Sequence, residues 1–278
     1  MVRVPAGMRA AGRVVGMATA LITGPTSGIG RGFTEAFAKK GLDLILVSRN
    51  WDRLTALAEE MRDAYGVRAE VFVADLSSRT DTGKVAARLA DRSRPVTALV
   101  NSAGFGLKHS FLRSSMDDEQ RSVDVMVSAV LRLTHAAVPG MVERGTGMVI
   151  NVSSVAGWIT GGTYSASKAW VTVFTESLAL DLRGTGVRTT AVCPGFVHTE
   201  FHERAGLDMS SVPDFMWLDV DQVVAQAFTD LARGRPISVA GGQYRVASTL
   251  LRHGPRSITK IAVGARRRRP GLGGREGD

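Results

Sequence analysis

The stretch TGPTSGIG, residues 23–30, follows the apolar run Ala18–Ile22 and opens an amphipathic segment, Gly30–Lys40. A short apolar run bounded by turn residues predicts a buried strand, and the amphipathic segment predicts a helix. Glycines at this junction permit a tight turn and a close approach of the backbone to a pyrophosphate, to which the helix N-terminus offers unpaired N–H groups. A glycine-rich turn alone is weak evidence. The strand–turn–helix context is what a dinucleotide-binding loop requires.

The same alternation continues along the chain. Six further apolar runs predict buried strands at Leu42–Val47, Ala69–Ala74, Ala98–Asn101, Met148–Val152, Val187–Cys193 and Ile237–Ala240. Helices are predicted at Trp51–Tyr65, capped by Asn50, and at 80–92, 117–143, 164–183 and Val220–Arg233. Continuously apolar strands separated by helices indicate an α/β fold, a Rossmann-type doubly wound parallel sheet in a single domain. Such sheets bind ligands beyond the carboxyl ends of their strands.

The positive charge is concentrated at the two ends of the chain. The 278 residues carry a formal net charge of +9. Residues 1–16 contribute +3 and residues 251–278 contribute +6, so the rest is neutral. We therefore expect a basic N-terminal arm at 1–16, one domain at 17–258 and a basic, disordered C-terminal tail at 259–278. A solvated end is the simplest interpretation of the tail, although such a tail can also bind anionic lipid or nucleic acid.

Cys193 is the only cysteine, so an internal disulfide is excluded, and this suits a reducing cytoplasm. No run reaches the ~18–20 apolar residues that a membrane-spanning helix needs. Cleavage of the first residues as a signal peptide would destroy the first strand and the glycine-rich turn. We therefore expect a cytoplasmic protein.

The end of the second strand selects the cofactor. An acid there would hold a ribose 2′-hydroxyl, whereas an arginine can pair with a 2′-phosphate. The chain has Arg49 and no acid at this point, which favours NADP(H). After the third strand, Asp75-Leu76 offers a carboxylate for the adenine amino group, although Asp75 is equally placed to cap the following helix.

Tyr164 and Lys168 stand at i and i+4, on one face of a predicted helix. A phenol has a pKa of about 10, and a nearby ammonium favours the phenolate and lowers that pKa. The tyrosine can then exchange a proton with a carbonyl or alcohol oxygen while a hydride moves at carbon. Ser154, at the end of the preceding strand, is placed to hydrogen-bond the same oxygen.

In their joint order and spacing, these motifs resemble those of the short-chain dehydrogenases/reductases, over residues 17 to about 245. The matching pieces are Thr23–Gly30, Asp75-Leu76, Asn101–Gly104, Asn151–Ser154, Tyr164–Lys168 and Pro194–Thr199. The resemblance implies an enzyme that transfers a hydride between NADP(H) and a carbonyl or alcohol. Phe105–Phe111 and the segment 193–201 look most like members that reduce keto groups on long acyl chains or steroids.

The resemblance also implies roles for individual residues. Ser154, Tyr164 and Lys168 would be catalytic. Asn101 and Gly104 would steady the sheet and the adenosine side, and Pro194–Thr199 would cradle the nicotinamide amide. Together with Arg49 and Asp75, the expected cofactor-binding residues are Gly24, Thr26, Ser27, Gly28, Ile29, Gly30, Leu76, Asn101, Ala103, Gly104, Tyr164, Lys168, Pro194, Gly195, Val197 and Thr199.

The chain departs from the family pattern at two points. Met126 stands where the family usually has an asparagine that helps to hold a water in the proton relay from the lysine. A thioether has no donor and is only a weak acceptor. Ser154 lies ten residues before Tyr164, where thirteen is common, and this shortened loop leaves open whether Ser153 or Ser154 faces the substrate.

Residues 196–217 are expected to form a lid over the substrate. The lid contains Phe196, Phe201, Phe215, Met216 and Trp217, and Trp158 comes from the shortened loop. An apolar lid suits a lipid-like carbonyl substrate, although these aromatics could equally pack on the core or on another subunit. His198 and His202 have no further ligand cluster, so we expect no metal.

Two other function classes stay open. One is a non-catalytic NADP-binding regulator, suggested by Met126, and the other is a basic-tailed adaptor for membrane or nucleic acid on a Rossmann scaffold. We expect an enzyme acting on a small apolar carbonyl or alcohol, a homodimer or homotetramer, and no nucleic-acid partner. The segment Tyr244–Arg256 mixes apolar and basic residues, so it is interpreted as an interfacial helix that makes peripheral membrane contact or as a dimer contact.

Overall fold

The computed structural model of the chain describes residues 18–206 and 208–253. The basic arm at 1–16 and the tail at 259–278 lie outside the described residues. The centre of the fold is a seven-stranded parallel sheet whose strands lie side by side in the order 69–73, 43–48, 19–23, 98–101, 147–152, 187–192 and 237–238. The predicted Rossmann-type doubly wound sheet is therefore confirmed.

The strands and helices fall close to their predicted positions. The strands are β1 Thr19–Thr23, β2 Asp43–Ser48, β3 Ala69–Val73, β4 Ala98–Asn101, β5 Gly147–Val152, β6 Val187–Val192, β7 Phe196–Val197, β8 Trp217–Leu218 and β9 Ile237–Ser238. The helices are α1 Gly28–Ala38, α2 Trp51–Tyr65, α3 Arg79–Ala90, α4 Met116–Val123, α5 Ala129–Glu143, α6 Gly162–Asp181, α7 Phe201–Arg204, α8 Val220–Ala232 and α9 Gly242–His253. As predicted, Asn50 caps α2 by accepting a hydrogen bond from the N–H of Arg53.

Two apolar clusters cover the two faces of the sheet. On one face, Phe33 and Phe37 of α1 pack edge-on against Phe228 of α8. On the other face, the cluster includes Leu99 of β4 and Leu133 of α5. Because the central strands are buried from both sides, their sequences are continuously apolar rather than alternating.

Met116–Glu143 is a continuous helical run that contains α4, a π-helical turn at Asp124–Ser128, and α5. Contrary to expectation, it is long and apolar enough, by length and composition, to cross a membrane. Half of its most apolar window is nevertheless buried within the protein, where α5 packs on α3 and the sheet. The π-helical turn was not predicted, because a single extra residue in one helical turn leaves the 3.6-residue apolar period almost unchanged.

Residues 196–217, the segment expected to form the substrate lid and called the lid below, leave the sheet after β6. The two ends of the lid pair with each other, since β7 and β8 form a short parallel ladder through Phe196↔Trp217 and Val197↔Leu218. The segment Tyr244–Arg256 was expected to be a membrane or subunit contact. Its described part belongs to α9, whose Tyr244 and Ser248 are buried against the rest of the protein.

Candidate active site

Strand order reverses between β1 and β4, so the carboxyl ends of these strands open a crevice. Thr23 closes the base of this crevice: its Oγ1 accepts the N–H groups of Ser102 and Ala103 at 3.0 and 3.1 Å. Gly24 continues from Thr23 with a φ of +64°, and its α-carbon faces the backbone of Ala103. A side chain at Gly24 would therefore be strained and would press on the backbone that follows β4.

The glycine-rich turn forms a cradle that side chains would fill. A Cβ at Gly30, in the first turn of α1, would overlap the carbonyl oxygen of Gly24. A Cβ at Gly28 would touch the side chain of Thr199, at 3.0 Å. The turn and the segment 194–199 thus face one another, as their predicted roles around one dinucleotide require.

The adenosine side of the crevice carries charged groups. Asp75 Oδ1 accepts the N–H and hydroxyl of Ser77 at 2.9 and 2.7 Å, and Oδ2 accepts from Arg121 at 3.3 Å. Although partial burial opposes the shift, these bonds and the charges of Arg121 and Arg49 lower the pKa of Asp75. The N-cap of α3 is Ser78, so the alternative in which Asp75 caps this helix is wrong.

Arg49 lies just beyond β2 and is exposed. A second arginine lies nearby: Arg53 Nη2 donates to the Thr26 carbonyl at 3.2 Å and pairs with Glu200 of the lid at 3.3 Å. Sequence reasoning missed Arg53, because Thr26 is 27 residues away in the chain and Glu200 is 147 away. The positive charge at this edge of the crevice therefore comes from Arg53 as well as from Arg49.

Asn101 is buried at the carboxyl end of β4. Its Nδ2 donates to Asn151 Oδ1 of β5 at 2.8 Å and to Thr134 Oγ1 at 3.2 Å. Asn151 in turn donates to Thr175 of α6 at 2.9 Å. This chain of buried amides joins two strands to two helices, which agrees with the sheet-steadying role expected of Asn101.

The structure separates the two candidate serines. Ser153 is buried and its Oγ bonds the Lys168 carbonyl and Thr172 Oγ1, each at 2.7 Å. Ser154 instead accepts the N–H of Ala156 at 3.1 Å and hydrogen-bonds Tyr164. Ser153 therefore fastens β5 to α6, and Ser154 is the serine beside Tyr164.

Tyr164 lies near the start of α6 with its phenol in a desolvated position. Burial raises the pKa of Tyr164 to about 12, and the hydrogen bond with Ser154 opposes this only in part. The expectation that Lys168 lowers this pKa is therefore wrong for this structure. A phenol that keeps its proton over the physiological range is a proton donor rather than a base.

Lys168 is buried one turn after Tyr164. Its ammonium donates to the Val152 carbonyl at 2.8 Å and lies 5.7 Å from the centre of the Tyr164 ring. Burial lowers the pKa of Lys168 to about 8. The lysine therefore titrates close to neutral pH, beside a tyrosine that does not.

Met126 is buried in the π-helical turn, and its thioether approaches the region of the Lys168 ammonium. A Cβ on Gly104 would lie 3.4 Å from Met126 Sδ and 3.6 Å from Lys168 Nζ. The thioether therefore lies on the Gly104 side of the lysine, within the apolar cluster that includes Val125 and Ala129.

The lid places aromatic rings over the tyrosine. The Phe201 ring lies 5.6 Å from that of Tyr164. His198 stacks on Trp217 at 4.7 Å, and His202 meets the same indole edge-on at 5.3 Å. Both histidines thus belong to an aromatic cluster in the lid.

These side chains provide a definite chemistry. A hydroxyl from Ser154 and a protonated phenol from Tyr164 lie together, with a buried ammonium behind the phenol. Such a set can hydrogen-bond a carbonyl oxygen and protonate it as negative charge develops there. The glycine cradle and Thr199 lie at the adjoining strand ends, so a bound dinucleotide fits beside this set.

Comparisons with known proteins agree with this geometry. A family model described as short chain dehydrogenase matches residues 18–209. Sulfoacetaldehyde reductase 2 of Chromohalobacter salexigens is 38% identical over 217 residues, which cover 76% of this chain and 85% of that protein.

Two solved structures are also similar. A short-chain dehydrogenase from Sphingobium yanoikuyae in complex with NADPH has a TM-score of 0.76 and 32% identity, covering 90% of this chain and 94% of its own. An alcohol dehydrogenase from Comamonas testosteroni, described as specific for bulky-bulky ketones, has a TM-score of 0.72 and 26% identity, covering 91% and 93%.

Proposed function

Because the chain belongs to the short chain dehydrogenase family, we propose that it is an NADP(H)-dependent oxidoreductase that reduces an apolar ketone. The observation that carries this proposal is that the side chains of Ser154, Tyr164 and Lys168 lie close together at the carboxyl end of β5, beside the glycine-rich turn. The same meeting argues against a non-catalytic regulator or an adaptor, since neither requires a buried phenol–ammonium pair.

Tyr164 is the proton donor in this proposal. NADPH, when bound, supplies the hydride to the carbonyl carbon. As negative charge develops on the carbonyl oxygen, Ser154 donates a hydrogen bond to it and Tyr164 transfers its phenolic proton. Lys168 stabilises the phenolate left behind, because its ammonium lies beside the ring in a desolvated place. The raised pKa of Tyr164 favours reduction over oxidation, because oxidation needs the phenolate at the start.

The cofactor is proposed to lie along the crevice between β1 and β4. The pyrophosphate would lie over the turn 23–30, where α1 directs its N–H groups, and Arg49 would pair with the 2′-phosphate. Thr199 would close over the nicotinamide end, since its side chain faces Gly28 closely enough that a Cβ there would lie 3.0 Å from it. The complex of the Sphingobium yanoikuyae relative with NADPH supports this choice of cofactor.

An apolar substrate is supported by the rings near the proton donor. Phe201 packs beside Tyr164, and Phe196 lies 5.8 Å from Trp217 in the same lid. Aromatic and aliphatic walls around a few polar groups suit a bulky ketone, as the description of the Comamonas testosteroni relative also suggests. The test is NADPH oxidation by the purified protein against long-chain, steroid-like and small anionic carbonyl compounds. Turnover of only the small anionic compounds would contradict the apolar substrate, and no turnover at all would contradict the activity.

We predict that kcat/KM for reduction is level below pH 8 and falls about tenfold per pH unit above it. The reason is that Lys168 loses its proton as the pH rises through its pKa of about 8, whereas Tyr164 stays protonated to about pH 12. Steady-state rates from pH 6 to 10 measure this. A profile that stays level up to pH 10, or activity that rises with pH, would contradict the role given to Lys168.

A loss of activity caused by unfolding can be distinguished from this effect, because the Lys168 contribution to stability should change with pH in the opposite direction. Since burial lowers the pKa of Lys168 from 10.5 to about 8, the unfolded chain holds this proton more tightly between those two values. The contribution of Lys168 to the free energy of unfolding therefore increases with pH over that window. Thermal unfolding at each pH serves as the control for the activity profile.

We predict that Met126→Asn does not speed up the enzyme. The amide would enter an apolar cluster at a buried position, at a cost of about 1–3 kcal/mol if it lacks partners. Unchanged or slower turnover and a lower melting temperature are expected, with Met126→Leu as the size-matched control. A gain in turnover of tenfold or more would instead mark this chain as a weakened reductase.

Several expectations remain predictions. A homodimer or homotetramer is one, and exposed Val173 and Leu180 on α6 are consistent with a subunit contact there. The cytoplasmic location and the membrane contact of the basic C-terminal segment are others. The proposed domain, 17–258, extends a few residues past the described part at its C-terminal end.

A further inference from the structure

We propose that Tyr244 of α9 is a positioning residue that holds both ends of the substrate lid, and thereby sets how tightly a ketone is bound. The inference rests on the proposed function for the ketone, but the contacts themselves are independent of it. Tyr244 lies outside every motif discussed above, and α9 was expected to serve a membrane or a second subunit.

The Tyr244 hydroxyl makes one bond to each end of the lid. It accepts the N–H of Phe196 at 2.9 Å and donates to the carbonyl oxygen of Met216 at 2.6 Å. These two residues lie twenty positions apart, at the first and next-to-last residues of the lid. A single phenol thus spans the neck of a loop whose middle carries Phe201 over the proton donor.

The Tyr244 ring also explains the glycine at position 195. Gly195 does not have a positive φ, so its backbone conformation is open to other residues. A Cβ at Gly195 would nevertheless overlap the Tyr244 ring. The turn Pro194–Gly195, proposed to cradle the nicotinamide end, is therefore packed directly on the residue that ties the lid.

Helix α9 is anchored at its other end as well. Arg252 pairs with Glu176 of α6 at 2.9 Å, and its guanidinium lies 5.8 Å from the centre of the Trp158 ring. Trp158 belongs to the short helical turn that follows Ser154. The helix therefore contacts two segments near Ser154 and Tyr164, the lid through Tyr244 and the turn after Ser154 through Arg252.

The expected consequence is a lid that opens more readily when the Tyr244 hydroxyl is absent. The ring of Phe201 would then spend less time over Tyr164, so a ketone would bind more weakly. The groups that move the proton would be untouched, since the two hydrogen bonds of the Tyr244 hydroxyl go to the backbone of Phe196 and Met216. A change in KM without a loss of kcat distinguishes this role from a merely structural one.

The experiment compares Tyr244→Phe with Tyr65→Phe in the full chain. Tyr65 ends α2 at the opposite edge of the sheet, so it is a matched control for a lost phenol hydroxyl. For Tyr244→Phe we expect KM for the long-chain or steroid-like ketone that the parent turns over best to rise about 3- to 10-fold, the scale of one or two lost net hydrogen bonds, with kcat not reduced. Tyr65→Phe should leave both constants unchanged.

A second readout needs no substrate. Arg204 of the lid is exposed, so trypsin can cut after it when the lid opens. Cleavage at this bond, followed by mass spectrometry, should be about 3- to 10-fold faster in Tyr244→Phe than in the control. Gln243→Ala removes only the 3.0 Å bond from this side chain to the Phe215 carbonyl. It should therefore raise both KM and the rate of cleavage at Arg204, but by less than Tyr244→Phe does.

The outcomes separate the two proposals. If KM and the rate of cleavage at Arg204 are unchanged in Tyr244→Phe and in Gln243→Ala, the role of Tyr244 is overturned, whatever the melting temperatures of the two variants. Faster cleavage in a protein that reduces no ketone would support the clamp and contradict the proposed function. If Tyr244→Phe proves insoluble, the polar variant Tyr244→His takes its place in both readouts, and Gln243→Ala reports whether the Met216 end of the lid depends on α9 at all.

Discussion

Replacement of Tyr164 by phenylalanine should lower turnover by about 10²-fold or more while NADPH binding survives. The substitution removes one oxygen and keeps the ring, so the contact with Phe201 and the packing of α6 persist. What is lost is the proton that the ketone oxygen is proposed to receive, since the Tyr164 hydroxyl is the group that hydrogen-bonds Ser154. Steady-state kinetics gives the turnover, and NADPH fluorescence titration gives the affinity.

The control for this variant is again Tyr65→Phe, which removes a phenol hydroxyl far from the crevice. Its turnover should equal that of the parent. Near-normal turnover of Tyr164→Phe would show that the proton comes from another donor or from solvent. The mechanism would then be wrong, even though the family and the fold stand.

Replacement of Arg49 by aspartate should weaken NADPH binding by roughly 1.5–3 kcal/mol, or about 10- to 150-fold, while NADH binding changes little or improves. The substitution removes the cation proposed to pair with the 2′-phosphate. It also puts a carboxylate at the end of β2, where an acid can hold a ribose hydroxyl. The charge of Arg49 also acts on Asp75, whose pKa it helps to lower. In Arg49→Asp, two carboxylates would therefore stand near this point, and both would repel the phosphate.

Fluorescence titration of both cofactors measures the switch, with Arg183→Asp as a control for the same change in net charge. Arg183 is exposed between the end of α6 and the start of β6, at the amino ends of the strands and so opposite the crevice. Equal affinity of the parent for NADPH and NADH would contradict the cofactor assignment. A loss in Arg49→Asp that is matched by Arg183→Asp would show a general charge effect. If Arg49→Asp loses little, Arg53, beside the glycine-rich turn, is the next cation to replace.

Local patterns in the sequence were sufficient to predict the architecture of the fold. The run Ala18–Ile22 followed by TGPTSGIG predicted β1, the cradle and α1, because a buried strand, a tight turn and a helix each leave a short-range signature. The spacing of Tyr164 and Lys168 predicted that both lie on one face of α6, since 3.6 residues per turn place i and i+4 together. Neither inference required knowledge of what packs against these elements.

Other features were decided only by tertiary contacts. The sequence could not tell Ser153 from Ser154, because the choice depends on Thr172, which α6 brings to Ser153 from nineteen positions away. Nor could it predict that the pKa of Tyr164 is raised, since desolvation depends on everything that surrounds the phenol.

The pairing of Gly195 with Tyr244 was likewise invisible to the sequence, because the two residues meet only after α9 folds back over the lid. The sequence alone thus determined the fold, the crevice at the strand ends and the placement of Tyr164 and Lys168 on one face of α6. The tertiary structure decided which serine lies beside Tyr164, in which direction the pKa of Tyr164 shifts and which residue contacts both ends of the segment 196–217. The physical reason is range: periodicity and turn chemistry act over a few residues, whereas burial and packing join residues that the chain keeps far apart.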